Sequence, residues 1–241
     1  MHQPLSPHSI VILTGAGISA ESGLGTFRDK DGIWTKHPIE DLATPEGFAR
    51  NPDFVHGFYN DRRAQLRTAK ANAAHTALAE LEAAFRQVGK HALIVTQNVD
   101  NLHAQAGSQN ILHMHGELTK IRCGACNAVT YWPDDIGQDT ICPTCETQGL
   151  MRPHVVWFGE MPLYMDEIYK QISNADLFVS IGTSGNVYPA AGFVQDAIRG
   201  GADTLELNLE PSDGATLFKS ARYGKASKIV PEWVSAVLES I

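Results

Sequence analysis

The chain has four cysteines, and their spacing is typical of a metal site. They form two Cys-x-x-Cys pairs separated by 15 residues, Cys123 with Cys126 and Cys142 with Cys145. Two pairs of thiolates, each presented from a tight turn, suit the tetrahedral coordination of zinc. Two disulfides are the alternative, which the lack of a recognisable signal peptide disfavours. Four sulfur ligands leave no position open for water, so the spacing predicts a structural rather than a catalytic zinc ion.

A glycine-rich loop near the start of the chain has the spacing of a phosphate-binding turn. In the stretch TGAGISAESG, Gly15, Gly17 and Ala20 satisfy G-x-G-x-x-G/A between a predicted strand and a predicted helix. Glycine allows close approach of the backbone, and a helix amino terminus places N–H groups and positive dipole at a pyrophosphate. Such turns also occur without ligands, so the loop favours dinucleotide binding and leaves a purely structural turn open.

The segment after this loop departs from the pattern of a nicotinamide dehydrogenase. Such an enzyme has an acidic residue about 20 positions further on, at the end of a second strand, where it binds the adenosine ribose. Here the chain reads LGTFRDKDGIW and has no strand pattern. The sequence therefore favours a dinucleotide that is used otherwise than as a hydride carrier.

These residues need a scaffold, and four short apolar runs predict its strands. Each run is followed by polar or glycine-containing residues, a pattern typical of buried parallel strands with binding loops at their carboxyl ends. The predicted α/β sheet therefore brings four polar loops to one edge. The runs are Ile10 to Leu13, Leu93 to Val95, Leu177 to Ile181 and Thr204 to Leu209.

Two helices are predicted between the strands, together with a small inserted module. One helix begins after an N-cap at Asn72 and extends to about Arg86, with apolar residues spaced three and four apart. The other extends from Asp53 to about Arg67. The insertion at 123–150 holds the cysteines, is rich in turn residues and has no helical pattern, so we expect a small zinc ribbon.

The overall composition limits the functions that the chain can have. With 241 residues, we expect one large core and a small appended module. The 19 basic and 27 acidic side chains give a net charge of −8, which offers no general attraction for nucleic acid or anionic lipid. No apolar run approaches the ~20 residues of a membrane helix. We therefore expect a cytoplasmic protein without a nucleic-acid or membrane partner.

Several motifs occur together, and in the order that one family shows, from about Ile10 to Val230. They are GAGISAESGLGTFR, TQNVDNLH, HGEL, the two Cys-x-x-Cys pairs, RPHVVWFGE, GTSGNVYPA and NLEP. With these motifs the chain closely resembles the sirtuins, the NAD-dependent protein lysine deacylases. The Tyr-x-x-Arg of Tyr59 and Arg62 further resembles the bacterial class III branch, whose members remove succinyl-type acyl groups as well as acetyl.

The resemblance implies one catalytic unit over 1–241, built from two structural parts. A Rossmann-like NAD-binding domain, with helices on both faces of a parallel sheet, would comprise about 8–29, 89–115 and 153–241. A small domain would comprise a helical part with the acyl pocket, about 30–88, and the zinc ribbon, about 116–152. NAD and acyl-lysine would enter the cleft between them from opposite sides, and we expect a monomer.

The resemblance also implies the reaction, in which NAD is consumed as a co-substrate. The acyl oxygen attacks C1 of the nicotinamide ribose, nicotinamide leaves, and the acyl group ends on ADP-ribose while lysine is freed. Acetyl and succinyl or malonyl groups on protein lysines are the implied substrates. Three alternatives stay open at this point: protein mono-ADP-ribosyl transfer, an NAD-sensing binding module without catalysis, and, as the weakest, a hydride-transferring dehydrogenase.

The catalytic and cofactor-binding residues are carried over from the resemblance. His115 in HGEL matches the family's catalytic histidine, a neutral imidazole that can take a proton from a ribose hydroxyl, and Asn98 is assigned to catalysis with it. We interpret His113 as structural. The residues that match the family's cofactor site are Gly15, Ala16, Gly17, Ile18, Ser19, Ala20, Phe27, Arg28, Trp34, Gln97, Asn98, Asp100, His115, Gly182, Thr183, Ser184, Asn208, Leu209, Glu210 and Ala226.

Particular roles are implied for the polar residues of this set. The amides of Gln97 and Asn98 suit ribose hydroxyls and a carboxamide, and Asp100 can accept from the nicotinamide amide. One residue departs from the family pattern, because Gly25 stands where a proline commonly precedes Thr-Phe-Arg. We expect a looser cofactor loop, with an effect on NAD affinity rather than on the reaction type.

Two segments, VVWFGE and GNV, match those between which the family's substrate peptide lies. A peptide would add there as an extended strand, whereas without the resemblance HVVWF would be interpreted as a buried strand. Tyr59 and Arg62 share a helix face and can hold a distal carboxylate, and Ala43 stands where it widens the acyl pocket. The predicted substrate-binding residues are Ala43, Tyr59, Arg62, Val156, Phe158, Gly159, Glu160, Gly185, Asn186 and Val187.

Overall fold

The computed structural model describes residues 7–25 and 38–241. Nine strands lie in these ranges: β1 Ser9–Thr14, β2 His91–Thr96, β3 Ile111–His113, β4 Gly116–Cys123, β5 Val129–Tyr131, β6 Met151–Val155, β7 Leu177–Ile181, β8 Asp203–Asn208 and β9 Ser220–Tyr223. The same ranges contain nine α-helices: α1 Ala16–Ser19, α2 Ile39–Leu42, α3 Pro45–Arg50, α4 Pro52–Thr68, α5 Ala73–Gln87, α6 Leu102–Gln105, α7 Met165–Ser173, α8 Phe193–Gly200 and α9 Ala226–Leu238.

Six of the strands form one parallel sheet in the order β3-β2-β1-β7-β8-β9. The four predicted apolar runs are its central strands β1, β2, β7 and β8, and they are almost continuously buried. Parallel strands are buried in this way because helices cover both faces of the sheet. β7 has the predicted bounds, β1 and β2 extend one to two residues beyond the predicted runs at each end, and β8 begins and ends one residue earlier than predicted.

Both faces of the sheet are covered by helices, which confirms the predicted fold class. On one face, α5 and α9 contribute Leu81, Phe85 and Trp233 to a core with the even-numbered residues of β1. On the other face, α7 and α8 contribute Ile172 and Phe193 to a second core. Since side chains alternate along a strand, each central strand stabilises both cores at once.

A three-stranded antiparallel sheet of order β5-β4-β6 forms the smaller part of the structure. Its outer end carries the cysteines and a small cluster around Ile121 and Met151. Its inner end packs with α4 and the loops near α2 in a further apolar cluster, which includes Val55, Leu66 and Trp157. No helix lies within 123–150, as predicted for a ribbon.

The two predicted helices are present, with one difference in where a helix packs. α5 begins after Asn72, whose side chain accepts from Ala74 N at 2.9 Å in a capping box. The expected domain division assigns this helix to the small domain, yet α5 packs in the core of the six-stranded sheet. Similarly, β6 belongs to the expected large domain from 153 onward but pairs with β4 of the small sheet. No helix within the described residues is long and apolar enough to span a bilayer.

Candidate active site

The candidate site lies at the point of the six-stranded sheet where the strand order reverses, between β1 and β7. The chain proceeds from β1 to β2 and β3 on one side, and then to β7, β8 and β9 on the other. Ligands of such sheets bind outside the carboxyl ends of the strands at this switch point. The loops after the central strands meet there, since Gly15 N donates to Ile181 O at 3.0 Å and Gln97 N donates to Thr14 O at 2.9 Å.

Three glycines let two of these loops touch backbone to backbone. Gly17 N donates to Gly182 O at 2.9 Å. A Cβ on Gly17 would lie 2.7 Å from the Cα of Gly182, and one on Gly15 would lie 2.8 Å from Gly182 O. Gly182 itself has a φ of +62°, which an L side chain rarely adopts. The glycine requirement therefore follows from contact between the loops, while the predicted pyrophosphate contact remains a prediction.

A chain of hydrogen bonds connects three of the predicted cofactor residues. Asn98 Nδ2 donates to Gly15 O at 3.0 Å and to Ser19 Oγ at 3.2 Å, and Ser19 Oγ donates to Asp100 Oδ2 at 2.9 Å. All three side chains are buried. Burial raises the pKa of the Asp100 carboxyl, and hydrogen bonds from Leu102 N and Ser19 partly offset that rise. The loops after β1 and β2 thus form one preorganised polar wall.

His115 is held beside this wall in one orientation. Its Nδ1 lies 3.0 Å from Gln97 O, and because a carbonyl can only accept, Nδ1 carries the hydrogen. In the neutral ring Nε2 then has the free lone pair of a base. Desolvation lowers the pKa of His115, while the bond to Gln97 acts in the opposite direction. The next residue, Gly116, has a φ of +80° and packs against His154 O, so the turn requires glycine there.

Two other histidines lie behind the wall and are buried. His103 Nε2 lies 3.0 Å from Thr14 Oγ1, and the rings of His75 and His103 are 4.9 Å apart. Burial lowers the pKa of His75 to about 4 and that of His103 well below its usual value. Both rings are therefore neutral at pH 7. His113 is also desolvated, with a lowered pKa and a buried Nδ1 that has no partner among the described residues.

The predicted adenosine-binding residues gather around the ends of β7 and β8. Asn208 Nδ2 donates to Thr183 O at 2.8 Å, which links the two loops. Ala226 begins α9, and the next residue donates its backbone N–H to the Glu21 carboxylate at 2.9 Å. The exposed members of the set are Ser184, Leu209 and Glu210.

The predicted acyl-pocket residues belong to a different, apolar part of the site. Ala43 and Tyr59 are 4% and 5% exposed and pack in the cluster that contains Trp157. Arg62 is half-buried and lines a cleft together with Asn98 and Asp100. Tyr59 and Arg62 therefore do not share one environment, since the phenol is enclosed while the guanidinium faces the cleft. The structure brings Arg62 next to the polar wall.

The two predicted peptide-binding segments lie on either side of His115 and Gln97. β6 ends at Val155, so the buried-strand interpretation of HVVWF is confirmed for its first two residues, while peptide binding by the residues after the strand stays a prediction. Beyond the strand, Val156 N donates to His115 O at 2.8 Å and Phe158 N donates to Ala43 O at 2.9 Å. On the other side, Gly185 and Val187 line a recess with Gln97. Phe158, Gly159 and Asn186 are exposed, as a peptide surface requires.

Glu160 has a different environment from the one predicted for a substrate contact. Its carboxylate makes two bonds with Arg152, Nη1 to Oε1 at 2.7 Å and Nη2 to Oε2 at 2.9 Å, and accepts from Trp157 N at 2.8 Å. Arg122 adds a further contact at 3.1 Å. These bonds lower the pKa of Glu160 although burial opposes them. Glu160 therefore stabilises the loop after β6 through bonds within the protein.

Sequence interpretation missed two buried arginines of this region. Arg152 is buried and lies over the Trp157 ring, 3.3 Å from its centroid. Arg63 is 1% exposed and donates from Nε to Leu118 O at 2.8 Å, which attaches α4 to β4. One signal could have found Arg152, because an arginine within the apolar run MRPHVVWF needs a buried partner.

The four cysteines come together as predicted. Their sulfur atoms all lie within 4.8 Å of one another, with Cys123 to Cys145 at 3.7 Å and Cys126 to Cys142 at 3.8 Å. A tetrahedron of Zn–S bonds of ~2.3 Å has edges of ~3.8 Å, so the cluster fits one zinc ion. All four thiols are free of disulfides. With four thiolates the coordination is closed, and the ion stabilises the ribbon.

Three predicted cofactor residues, Phe27, Arg28 and Trp34, lie outside the described residues. Their roles stay predictions. Gly25, at the border of the described range, is exposed, and a Cβ there would meet no described atom within 4 Å.

Comparison with known proteins gives consistent matches over nearly the whole chain. The sequence model of the Sir2 family matches residues 15–189. A relative from Caulobacter vibrioides, named NAD-dependent protein deacylase, is 57% identical over 231 residues, which are 95% of this chain and 96% of the relative. A solved Sir2 homologue in complex with NAD superposes with a TM-score of 0.87 at 36% identity, over 97% of this chain and 91% of that chain. A Sir2 structure bound to acetylated peptide gives a TM-score of 0.80 at 27% identity, over 97% and 93% of the two chains.

Proposed function

The chain belongs to the Sir2 family, and on that premise we infer that it is an NAD-dependent protein-lysine deacylase. It transfers the acyl group of a modified lysine to ADP-ribose and releases nicotinamide. The observation that carries this inference is the His115 imidazole, which Gln97 O fixes with Nε2 free as a base beside the Asn98–Ser19–Asp100 wall. A protein that only bound NAD would need no such base.

The residues of the site fit NAD as the co-substrate. When bound, NAD supplies an electrophilic ribose carbon that the acyl oxygen can attack. The polar wall offers the amide of Asn98 and the carboxylate of Asp100 toward the cleft, groups that suit ribose hydroxyls and a carboxamide. With both substrates bound, His115 Nε2 would accept the proton of a ribose hydroxyl, and the hydroxyl oxygen would form a bond to the acyl carbon.

We propose further that acidic acyl groups, succinyl and malonyl, are substrates in addition to acetyl. The supporting observation is Arg62, a half-buried cation that lines the cleft. Within the described ranges it has no carboxylate at ion-pair distance, and its bond is to the neutral Gln65 Oε1 at 3.1 Å. Asp100, which lines the same cleft, acts on Arg62 electrostatically without forming an ion pair with it. A partly desolvated guanidinium that lacks a direct ion-pair partner among the described residues favours a ligand that supplies a carboxylate.

The experiment pairs acetyl-lysine and succinyl-lysine peptides with NAD and follows the products by mass spectrometry, with Arg62→Met alongside the unmodified enzyme. We expect kcat/KM for the succinyl peptide to fall by about 10- to 100-fold in the variant, as for the loss of a charge-assisted hydrogen bond of ~1.5–3 kcal/mol. The acetyl peptide should change far less.

The matched control is Arg67→Met on the same helix, where the exposed guanidinium pairs loosely with Asp135 at 3.5 Å. It should leave both peptides unaffected, because exposed ion pairs stabilise little. Equal losses for the two peptides in Arg62→Met would refute a role in acyl selection. Failure of the unmodified enzyme to act on either peptide would refute deacylation itself.

We also propose a monomeric, cytoplasmic enzyme whose partners are acyl-lysine proteins and not nucleic acid. The net charge of −8 supports the exclusion of nucleic acid, and the four free thiols are typical of a reducing compartment. Light scattering on the zinc-loaded protein would test the oligomeric state.

A further inference from the structure

The Tyr59 hydroxyl is already engaged on one side by Trp157. The indole Nε1 donates to the phenol oxygen at 2.9 Å, and the two rings are 6.4 Å apart. Both side chains are buried, at 5% and 2% exposure. The two residues are 98 positions apart in the chain, one on α4 and the other in the loop after β6.

This bond leaves the phenol hydrogen free to be donated to another group. An indole nitrogen can only donate, so the phenol oxygen is the acceptor in this pair. Because the phenol oxygen accepts the indole N–H, its own hydrogen points away from that N–H and is left for another acceptor. Within residues 7–25 and 38–241, no acceptor lies at hydrogen-bond distance from that hydrogen, and a buried donor without an acceptor is unfavourable.

From this geometry we infer that Trp157 is a positioning residue for acyl selection, which directs the Tyr59 hydrogen toward a carboxylate on the acyl group. The inference rests on the proposed acidic-acyl activity and explains how an enclosed phenol takes part in it. Arg62 would supply the charge, and Tyr59 a directed donor. An acetyl group has no carboxylate and gains nothing from that donor.

The indole is itself held rigidly. The Arg152 guanidinium lies over the indole ring, 3.3 Å from its centroid. The Glu160 carboxylate accepts from the backbone N–H of Trp157 at 2.8 Å. Phe48 packs on it with 5.3 Å between ring centroids. Arg152, Glu160 and Phe48 therefore hold Trp157 in the position from which its indole N–H reaches Tyr59.

The protonation state of the phenol agrees with a donor role. Burial raises the pKa of Tyr59 to about 12, with the hydrogen bond from Trp157 acting in the opposite direction. The phenol is therefore neutral across the working pH range and keeps its hydrogen.

The test is a double-mutant cycle on Trp157→Phe and Tyr59→Phe. The measured quantity is the ratio of kcat/KM for succinyl-lysine to that for acetyl-lysine peptide, with KM and kcat determined separately. Each single variant should lower this ratio by about 3- to 10-fold, through a higher KM for the succinyl peptide. The double variant should lower it no further, because the indole acts through the hydroxyl that Tyr59→Phe removes.

A matched control is Trp132→Phe, which removes an indole donor that serves only Asp135 O in the ribbon at 3.2 Å. Its ratio should equal that of the unmodified enzyme. If Trp157→Phe does not fold, β-(3-benzothienyl)alanine at position 157 keeps the ring shape and removes only the N–H group. Thermal denaturation of each variant identifies losses that come from unfolding.

Two results would overturn the inference. One is an equal loss of kcat/KM for both peptides in the position 157 variants, which would show a structural role. The other is a further fall of the succinyl-to-acetyl ratio, as large as that of the single variant, when Trp157→Phe is added to Tyr59→Phe. If the unmodified enzyme removes no succinyl group, the proposed acyl preference fails together with the inference. If succinyl turnover is present and depends on Arg62, while the position 157 variants keep the normal ratio, the inference alone fails.

Discussion

The two walls of the cleft hold their polar groups in different ways. On the cofactor wall, Ser19, Asn98 and Asp100 bond to one another and to the sheet loops, so each group has more than one partner. On the acyl wall, Tyr59 and Arg62 stand in or beside an apolar cluster, and each has one hydrogen-bond partner among the described side chains. On the proposed function, the first wall would serve every acyl substrate, and the second would distinguish among them.

The difference between the walls indicates which residues can change the acyl specificity with little loss of stability. In the polar network, loss of one group leaves buried partners unsatisfied, which is unfavourable for the whole site. On the acyl wall, Arg62 can be replaced without disrupting a network. We therefore expect changes in the cofactor wall to affect all acyl groups equally, and changes in the acyl wall to be selective.

Replacement of His115 by alanine is expected to have the largest effect. The base acts on a ribose hydroxyl whatever the acyl group is, so kcat should fall by about 10²–10⁴-fold for acetyl and succinyl peptides alike. Steady-state kinetics with both peptides measure this, with His8→Ala at an exposed position as the control. A fall in kcat for only one of the two peptides would contradict the proposed difference between the two walls. Unchanged NAD-dependent activity would show that His115 is not the base.

The second prediction concerns the free energy of unfolding as a function of pH. Burial lowers the pKa of His75 from 6.5 to about 4 in the folded protein, so protonation of this ring destabilises the folded state. Its contribution is complete above pH 6.5 and is lost as the pH falls toward 4, by roughly 3 kcal/mol. The desolvated His103 acts in the same direction, and Asp100, with its raised pKa, acts in the opposite one.

Urea denaturation between pH 7.5 and 4.5 measures this dependence. A His75→Gln variant, whose amide does not titrate, should lose part of it. An identical pH slope in the variant and the unmodified protein would show that His75 does not cause the acid sensitivity of the cofactor wall.

The smallest effect is expected from Gly25→Pro at the edge of the cofactor wall. Proline limits the conformations of the segment, so less entropy is lost when NAD binds, and KM for NAD should fall by about 2- to 5-fold, or ~0.4–1 kcal/mol. Both peptides should respond equally. Gly25→Ala is the control for an added Cβ, and a change in the succinyl-to-acetyl ratio would contradict the assignment of Gly25 to the cofactor side.

Much of the scaffold was predictable because its signals are local. The apolar runs at β1, β2, β7 and β8 identify buried strands, and Asn72 marks the start of α5 by its capping chemistry. The cysteine spacing predicted the metal cluster, since each Cys-x-x-Cys pair forms its own turn. The packing of α5 against the large sheet was not predictable, because an apolar stripe does not identify the surface that covers it.

For the site, motif and spacing were sufficient to name the base, the cofactor loops and the Tyr-x-x-Arg pair as candidates. They could not show that Glu160 bonds to Arg152, or that Trp157 reaches Tyr59 from 98 positions away. Those contacts join separate elements, and no local pattern records which partner a buried donor finds. Periodicity and capping act within a few residues of the chain, whereas the direction of a hydrogen bond and the burial of a charge arise only when distant segments pack together.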